Sequence, residues 1–349
     1  RMAEQYGRLS EYSLDPDNKR MYAARKEQWE KQEYGAIDEY TSSKKEYDAQ
    51  VHKLAKLEKE TDNALNAYMD VMDTPQAAEY EEVFNKKFDE TENLKQIVKD
   101  LKAGLSGKEA KAVRQMEKEL SLRTGIPIDK VEMSGLKYDT AKMVYDSYDV
   151  VLKKFPELKG QLASFKYSSD LKGGTYAGCV TYTGEIKAYG KFANYEKLVQ
   201  AYANDVAQGF HPVGTDHNSI IVHELGHALD GYMSKKGLLD GNVHRTTSKT
   251  VKDMTLKLAG FDKQELADDL KKQGLTLSQR RDILEKKERD FIAEHVSVYA
   301  AKYDYVKNRT KVDSEREFFA ECFAEYMMSD NPRKTAKIFG EIIETALGR

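Results

Sequence analysis

The chain has 349 residues, of which 33% are charged, and its mean hydropathy of −0.73 indicates a very polar protein long enough for two domains. Its 56 basic and 59 acidic residues are closely mixed, and the net charge of −3 gives no electrostatic reason to expect nucleic-acid binding. Since no apolar run approaches the length of a membrane span, we expect a soluble protein without a transmembrane segment.

Cys179 and Cys322 are the only cysteines, and two thiols so far apart in sequence predict no disulfide framework. Low cysteine usage suits a reducing compartment without excluding secretion. The chain begins at Arg1, which we interpret as a processed product or a fragment from which any signal peptide is missing. Localisation therefore stays open between the cytoplasm and export, and so does the oligomeric state.

Residues 1–124 are predicted to form a helical arm, either a hairpin or a bundle. Asp73-Thr74-Pro75 ends one helix and begins the next. Gly104–Gly107 is a candidate boundary before a helix over 108–123, which ends at Thr124-Gly125-Ile126-Pro127. Apolar residues near a seven-residue spacing predict the packed stripe: Val51, Leu54, Leu65, Tyr68 and Met72, then Phe84, Phe88, Leu94, Ile97, Val98, Leu101 and Leu105.

Residues 125–349 are predicted to form a second domain that combines strands with helices. The strand candidates are 128–133, 162–167 and a β-hairpin at Tyr176–Tyr189 that turns at Thr183-Gly184. Besides a helix at Ser219–Tyr232, helices are predicted at 139–155, 194–207, 246–259, 262–272, 278–302 and 314–328. These elements predict the α+β class, mostly α, with a small antiparallel or mixed sheet.

The helix at Ser219–Tyr232 contains the pattern His-Glu-x-x-His, formed by His223, Glu224 and His227. Residues four apart lie on one helix face, so the two imidazoles can point at one ion, with the carboxylate beside them. Imidazole and carboxylate ligands suit Zn²⁺, and Glu224 is the candidate general base. The alternative is a polar stripe on an ordinary helix. The apolar flanks favour the metal, since Glu224 is the one charged residue before Asp230.

A third ligand is expected from a second helix, Ser314–Met328, where Glu317, Glu321 and Glu325 recur every four residues. Carboxylates on so apolar a helix are costly unless they are paired or bind a metal. We assign Glu317 to the metal and place Glu321 behind a ligand histidine, which it would orient through the other ring nitrogen. The reverse assignment is allowed, and a half-exposed acidic stripe is the alternative.

Two further roles have competing candidates. Asp230 follows His227 by three residues and is either a rival third ligand or a carboxylate that supports the ligands, although a straight helix carries it about a turn too far. A hydrogen-bond donor to the developing oxyanion is expected just upstream of the glutamate helix. Tyr299 is the first candidate, and its competitors are Tyr303, Tyr305 and His295.

The segments HELGHALDGY, VSVYA and EFFAECFAEY together resemble the zinc metallopeptidase domain of the anthrax lethal factor family, a gluzincin-type zincin. The resemblance covers about residues 125–349 and implies a zincin-like fold, bound Zn²⁺, and a protein or peptide substrate. It implies Glu317 as third zinc ligand, Glu321 as supporting carboxylate, and Tyr299 as donor to the oxyanion. The chain departs from the family pattern at 302–313, a longer interval before the glutamate helix.

The same family places a substrate-binding edge strand before the metal helix, and Tyr176–Tyr189 matches it by position. Helical segments such as LDPDNKRMYAARKEQWEKQ, joined to a zincin-like domain, also resemble minor head proteins of bacteriophages and prophages. That resemblance implies phage structural proteins as partners and a virion as a third location. Two hypotheses follow: a zinc endopeptidase, favoured by the intact Glu224, or a head or assembly protein whose metal domain is self-processing or non-catalytic, favoured by the helical arm.

Overall fold

The computed structural model describes residues 35–170, 175–241, 246–301 and 311–349, together with the isolated positions 16, 19, 20 and 23. The chain divides into two compact units, Arg1–Gln115 and Met116–Arg349. This division falls inside helix α2 (Ala77–Thr124), whereas the sequence predicted it at the end of that helix, between residues 124 and 125. The phage-like segment at 14–32 lies outside the described residues except for those isolated positions.

The first unit is an antiparallel helical hairpin of α1 (Ala36–Val71) and the part of α2 up to residue 115. The backbone N–H of Ile37 donates to Oε1 of Gln115 at 3.1 Å. At the other end the rings of Tyr68 and Phe84 stack with centroids 6.5 Å apart. Four members of the predicted apolar stripe are exposed instead, because a two-helix hairpin covers only one face of each helix: Val51, Met72, Phe88 and Ile97.

Helix α2 runs without a break through Gly104 and Gly107, so the boundary predicted there is wrong. Nothing lies within 4 Å of a Cβ built on either glycine, which means that neither is required by a close contact. Each glycine costs a helix about 1 kcal/mol relative to alanine, and the surrounding Lys, Ala, Leu and Glu residues are strong helix formers. Their summed propensity outweighs the two glycines.

The second unit is mostly helical. After the end of α2 it contains α3 (Tyr138–Lys154), α4 (Tyr195–Ala207), α5 (Ser219–Lys235), α6 (Ser248–Ala259), α7 (Lys263–Lys272), α8 (Leu277–His295), α9 (Val298–Ala301), α10 (Lys311–Met328) and α11 (Lys334–Ala346). The single helix predicted over 278–302 is two helices. The chain leaves α8 at Val296, and the N–H groups of Val298 and Tyr299 then donate to the carbonyls of Gly209 and Phe210. These contacts to a distant loop replace the bonds that would have continued α8.

The four described strands form one mixed sheet in the order β1 (Val131–Glu132), β2 (Ser164–Tyr167), β4 (Glu185–Ala188), β3 (Ala177–Val180). Strand β2 is parallel to both neighbours, whereas β3 and β4 form the predicted antiparallel hairpin, with Val180 opposite Glu185. The strand predicted over 128–133 is reduced to β1, because Ile128–Lys130 forms a 3₁₀ turn after Pro127. The mostly-α α+β class with a small mixed sheet is confirmed.

Helix α5 lies at the centre of the second unit, where it packs against α10, α3 and the edge strand β3. All of its residues are buried except Tyr232 and Lys235. Burial on every side explains why the apolar residues of its sequence surround the two histidines rather than forming one stripe. Within the described ranges, no helix combines the length and apolar character needed to cross a bilayer.

Candidate metal centre

Helices α5 and α10 bring the three predicted ligands together. Nε2 of His223 lies 3.0 Å from Oε2 of Glu317, and Nε2 of His227 lies 3.5 Å from the same oxygen. One ligand atom from each of the three side chains lies within 4.8 Å of the other two. Both histidines are buried and Glu317 is half-buried. The four-residue spacing on α5 therefore aims both imidazoles at the carboxylate that α10 supplies.

The spacing of these atoms fits a zinc ion. Zinc binds imidazole nitrogen and carboxylate oxygen at about 2.0–2.2 Å, so ligand atoms in a tetrahedron lie roughly 3.3 Å apart. The separations of 3.0 and 3.5 Å bracket that value. Two imidazoles and one carboxylate leave a fourth position for water, which is the ligand set of catalytic rather than structural zinc sites.

The imidazole of His223 lies between two carboxylates. Nδ1 lies 2.8 Å from Oε1 of Glu321, while Nε2 faces Glu317. A neutral imidazole carries only one N–H. If Nδ1–H points at Glu321, the lone pair of Nε2 faces a carboxylate oxygen, and either an additional proton or a cation is needed between them. Either one satisfies both carboxylates, and the His-His-Glu ligand group is what favours a metal ion.

His227 is held in the neutral form that metal binding requires. Burial, together with a smaller contribution from the charge of the neighbouring His223, lowers the pKa of its imidazole to about 4. The two rings lie nearly perpendicular, with centroids 4.9 Å apart. An imidazole that stays unprotonated at neutral pH keeps its lone pair available for a ligand bond.

Glu321 lies behind the ligands and is 1% exposed. Its carboxylate contacts Nδ1 of His223 at 2.8 Å and Nδ1 of His211 at 3.2 Å. Burial by itself raises the pKa of Glu321, but the charges and hydrogen bonds of these two histidines hold it well below its ordinary value of 4.5. Glu321 therefore lies next to His223 and one turn from Glu317, and its role as the supporting carboxylate of a ligand stays a prediction.

Glu224 lies immediately after His223 and is 6% exposed. Its charge adds to the effect of burial, which is the main cause, in raising the pKa of the Tyr148 hydroxyl and of the Cys179 thiol. The carboxylate is therefore within electrostatic reach of α3 and of the edge strand β3. The role of Glu224 as general base stays a prediction that rests on its place next to His223 in the chain.

Asp230 lies outside the three-residue ligand group. Its Oδ1 accepts hydrogen bonds from the Thr247 hydroxyl at 2.8 Å and from the Ser248 N–H at 3.0 Å. The side chain thus serves the start of α6, about a turn beyond the point where the imidazoles meet. Within the part of the chain that is described, neither Oδ2 of Asp230 nor Nδ1 of His227 has a hydrogen-bond partner, so the predicted supporting contact is not formed.

Of the two oxyanion candidates that the structure describes, Tyr299 is the one whose ring lies near His223. Its ring centroid lies 6.0 Å from that of His223 and 5.2 Å from that of Phe210. His295 instead packs against Phe291 on α8, with centroids 4.2 Å apart, and its side chain is 42% exposed. Tyr303 and Tyr305 lie outside the described residues.

Glu325, the third of the glutamates that recur every four residues on α10, pairs with Arg333. Glu325 accepts from Nε and Nη2 of Arg333 at 2.9 and 2.7 Å, and from the backbone N–H of the same residue at 2.8 Å. The guanidinium also donates to the Glu294 and Val296 carbonyls at the end of α8. Glu325 therefore ties α10 to the turn before α11 and to α8, away from the ligands.

His211 is the residue at this centre that the sequence did not single out. It belongs to the Gly209–Gly214 loop, far from the His-Glu-x-x-His pattern in any periodic sense, and no spacing rule connects it with Glu321. Its position close before the metal helix was the one available signal.

No protein-family model, no curated protein and no solved structure matches this chain. The resemblances to the lethal factor metallopeptidase domain and to phage minor head proteins therefore stay predictions that rest on the motif residues.

Proposed function

We propose that the second unit is a zinc-dependent endopeptidase in which His223, His227 and Glu317 hold the ion and Glu224 is the general base. The observation that carries this proposal is the convergence of two imidazole nitrogens on one oxygen of Glu317. The other nitrogen of His223 meets a second carboxylate, that of Glu321. A carboxylate in this position fixes the ring of a metal-binding histidine.

Zinc, when bound, supplies a Lewis acid and makes water acidic enough to react near neutral pH. Glu224 then accepts a proton from the attacking water and passes it to the leaving amine. Tyr299 donates its hydroxyl hydrogen to the oxyanion that develops on the substrate carbonyl. Glu321 holds His223 with Nδ1–H towards itself, which leaves Nε2 free of hydrogen.

A peptide substrate is supported by the edge strand. Strand β3 is the last in the order of the described sheet and packs against α5, the helix that carries the histidines. An extended peptide can add to such an edge through main-chain hydrogen bonds, which give affinity without demanding a particular sequence. This geometry suits an endopeptidase better than a hydrolase of small molecules.

The second candidate is a phage head or assembly protein whose metallopeptidase-like unit is self-processing or non-catalytic. The long hairpin of α1 and α2 favours it, and exposed apolar side chains such as Met69, Met72 and Val83 offer contacts to a partner. Phage structural proteins are its partners in that case.

Zinc analysis and peptide cleavage test the first proposal. We expect one zinc per chain, and hydrolysis of a peptide library that a chelator abolishes and zinc restores. Glu224→Gln should keep the zinc and lose about 10²–10⁴-fold in kcat, because an amide cannot accept the proton. Glu196→Gln, an exposed change at the start of α4, is the matched control and should change neither.

Three outcomes decide against this assignment. A protein without zinc refutes the metal centre. Loss of zinc in Glu224→Gln as complete as in His223→Ala makes Glu224 a structural residue. A zinc-loaded protein that cleaves only itself, or nothing in the library, favours the assembly protein.

A further inference from the structure

We propose that His211 is a positioning residue of the metal centre, which acts on His223 through the carboxylate of Glu321. This inference rests on the proposed function, because it requires that His223 binds the metal. It adds a residue to the support of the site that lies on a loop before α5 rather than on either ligand helix.

The carboxylate of Glu321 joins the two imidazoles. Its Oε1 lies 2.8 Å from Nδ1 of His223 and 3.2 Å from Nδ1 of His211, and its Oε2 lies 3.4 Å from the latter nitrogen. Glu321 is 1% exposed. A buried carboxylate needs hydrogen-bond donors from the protein, since desolvation otherwise favours its neutral form.

The direction of each hydrogen bond follows from the acceptor. An ionised carboxylate can only accept, so a hydrogen bond from either imidazole to Glu321 is donated by its Nδ1–H. At His223 this leaves the Nε2 lone pair for a metal. At His211 the N–H supplies a second donor that fixes the orientation of the Glu321 carboxylate. Without that donor the carboxylate loses one of its two imidazole partners and can rotate away from His223.

The ring of His211 is itself held in a defined plane. It stacks on Tyr202 with centroids 4.9 Å apart and an interplanar angle of 14°. The Tyr299 ring lies 5.6 Å away and tilted at 55°.

The backbone on each side of this cluster is also joined. The carbonyls of Gly209 and Phe210 accept hydrogen bonds of 3.0 and 3.1 Å from the first turn of α9. The loop therefore presents His211 in one orientation, and that orientation places Nδ1 against Glu321.

The expected loss of zinc affinity depends on how many contacts separate the substituted residue from the metal. Removing the direct partner of a ligand histidine weakens metal affinity by about 10–100-fold. His211 acts one contact further away, so its loss should cost about 10-fold, and it should cost nothing once Glu321 is absent.

Zinc competition titrations of the full chain test this with variants that separate the hydrogen bond from the stack. His211→Phe keeps an aromatic ring for Tyr202 but no N–H, whereas His211→Asn keeps a donor near Nδ1 but no ring. We expect His211→Ala and His211→Phe to bind zinc about 10-fold more weakly, with His211→Asn close to the unchanged protein. His217→Ala is the matched control, because His217 is a half-buried loop histidine whose Nε2 pairs with the Tyr195 hydroxyl instead.

The double variant His211→Ala/Glu321→Ala should bind zinc as Glu321→Ala alone does, since a residue that acts through Glu321 has no effect in its absence. Additive losses would overturn the inference. Normal zinc affinity in His211→Ala would also overturn it. The same holds if His211→Phe binds zinc normally and His211→Asn does not, because the stack on Tyr202 would then be the decisive contact. If His211→Ala does not fold by circular dichroism, the Phe and Asn variants decide. An unchanged protein that binds no zinc refutes the proposed metal centre, and this inference with it.

Discussion

Gly226 of α5 lies directly against Ala320 of α10. A Cβ built on Gly226 would stand 3.1 Å from Cα of Ala320 and 3.1 Å from Cδ1 of Phe323, closer than side chains normally approach. Gly226 lies between the two histidines of the motif, and Ala320 between Glu317 and Glu321. The close crossing of the two helices therefore occurs at the level of the ligands, and it sets how near the carboxylates come to the imidazoles.

Gly231, a second glycine of α5, has even less space for a side chain, and this leads to the first prediction. A Cβ on Gly231 would lie 1.8 Å from the carbonyl oxygen of Thr181, which follows β3. Because this neighbour is backbone, Gly231→Ala should lower the free energy of unfolding by about 3 kcal/mol or more. Gly226→Ala should cost about 1–2 kcal/mol, since its neighbours need to move by only a few tenths of an ångström.

Gly104→Ala is the control for these substitutions. Gly104 lies inside α2 with nothing within 4 Å of its Cβ position, so alanine there should stabilise the protein by about 0.5–1 kcal/mol. Urea unfolding followed by circular dichroism measures all three. If Gly231→Ala is as stable as Gly104→Ala, α5 and β3 do not pack as described.

Substitutions of Glu317, of Glu321 and of the residue that pairs with Glu325 should have three different effects on zinc binding and stability. Glu317→Ala should lose zinc, and Glu321→Ala should bind it about 10–100-fold more weakly. The role of Glu325 is tested by changing its partner, Arg333. Arg333→Met leaves the carboxylate of Glu325 buried without its guanidinium, and should cost about 3–5 kcal/mol of stability with no change in zinc affinity.

Parallel zinc titrations and urea melts of these variants make the comparison. Should Glu321→Ala prove more damaging to zinc binding than Glu317→Ala, the two roles are exchanged. A change of zinc affinity in Arg333→Met that exceeds its effect on stability would place Glu325 in the metal centre.

The sequence was most informative where chemistry follows from local spacing. The four-residue interval in α5 predicted that His223 and His227 share a face, and the interval in α10 predicted Glu317 and Glu321 one turn apart. The alternation around Thr183-Gly184 likewise predicted the β3–β4 hairpin. Each of these depends only on the geometry of one helix or one turn.

Contacts between distant segments of the chain could not be predicted from local spacing. The carboxylates of Glu317, Glu321 and Glu325 are equivalent in sequence, and only tertiary packing assigns the last of them to Arg333. His211 reaches Glu321 across 110 positions of the chain. The break before α9 depends on the carbonyls of the same loop. Helix periodicity contains no information about which loop will meet a helix end.

An ion cluster around the buried Glu288 leads to a prediction for the pH dependence of stability. Glu288 of α8 contacts Nζ of Lys252 at 2.7 Å and Nζ of Lys263 at 2.5 Å. Burial alone raises the pKa of Glu288, but the two lysines lower it to about 2, from an ordinary value of 4.5. Between these values the unfolded chain binds a proton that the folded protein does not. Stability from this group is therefore present above pH 4.5 and lost as the pH falls towards 2.

The difference between the unchanged protein and Glu288→Gln isolates this contribution. Their free energies of unfolding should differ most above pH 4.5, where the glutamine leaves Lys252 buried without its carboxylate. The difference should shrink by up to about 3 kcal/mol as the pH falls towards 2, because lowering a pKa from 4.5 to about 2 corresponds to roughly that energy. Parallel profiles for the two proteins would show that the ion cluster contributes nothing of this kind.

The last prediction concerns Tyr299, whose ring lies 6.0 Å from that of His223. Since the N–H of Tyr299 is bound by the loop that carries His211, removing only the phenolic oxygen should leave the backbone and the ligands in place. Tyr299→Phe should therefore keep zinc at unchanged affinity while kcat falls by about 10²–10³-fold, as expected when one donor to an oxyanion is lost. Tyr195→Phe, which removes a hydroxyl that pairs with His217, is the control and should retain activity. Steady-state kinetics with one peptide substrate, together with zinc titration, measure both effects.

If Tyr299→Phe is fully active and Tyr303→Phe or Tyr305→Phe is not, the oxyanion donor comes from the segment after α9. A drop in zinc affinity in Tyr299→Phe would instead mean that the phenol supports a ligand.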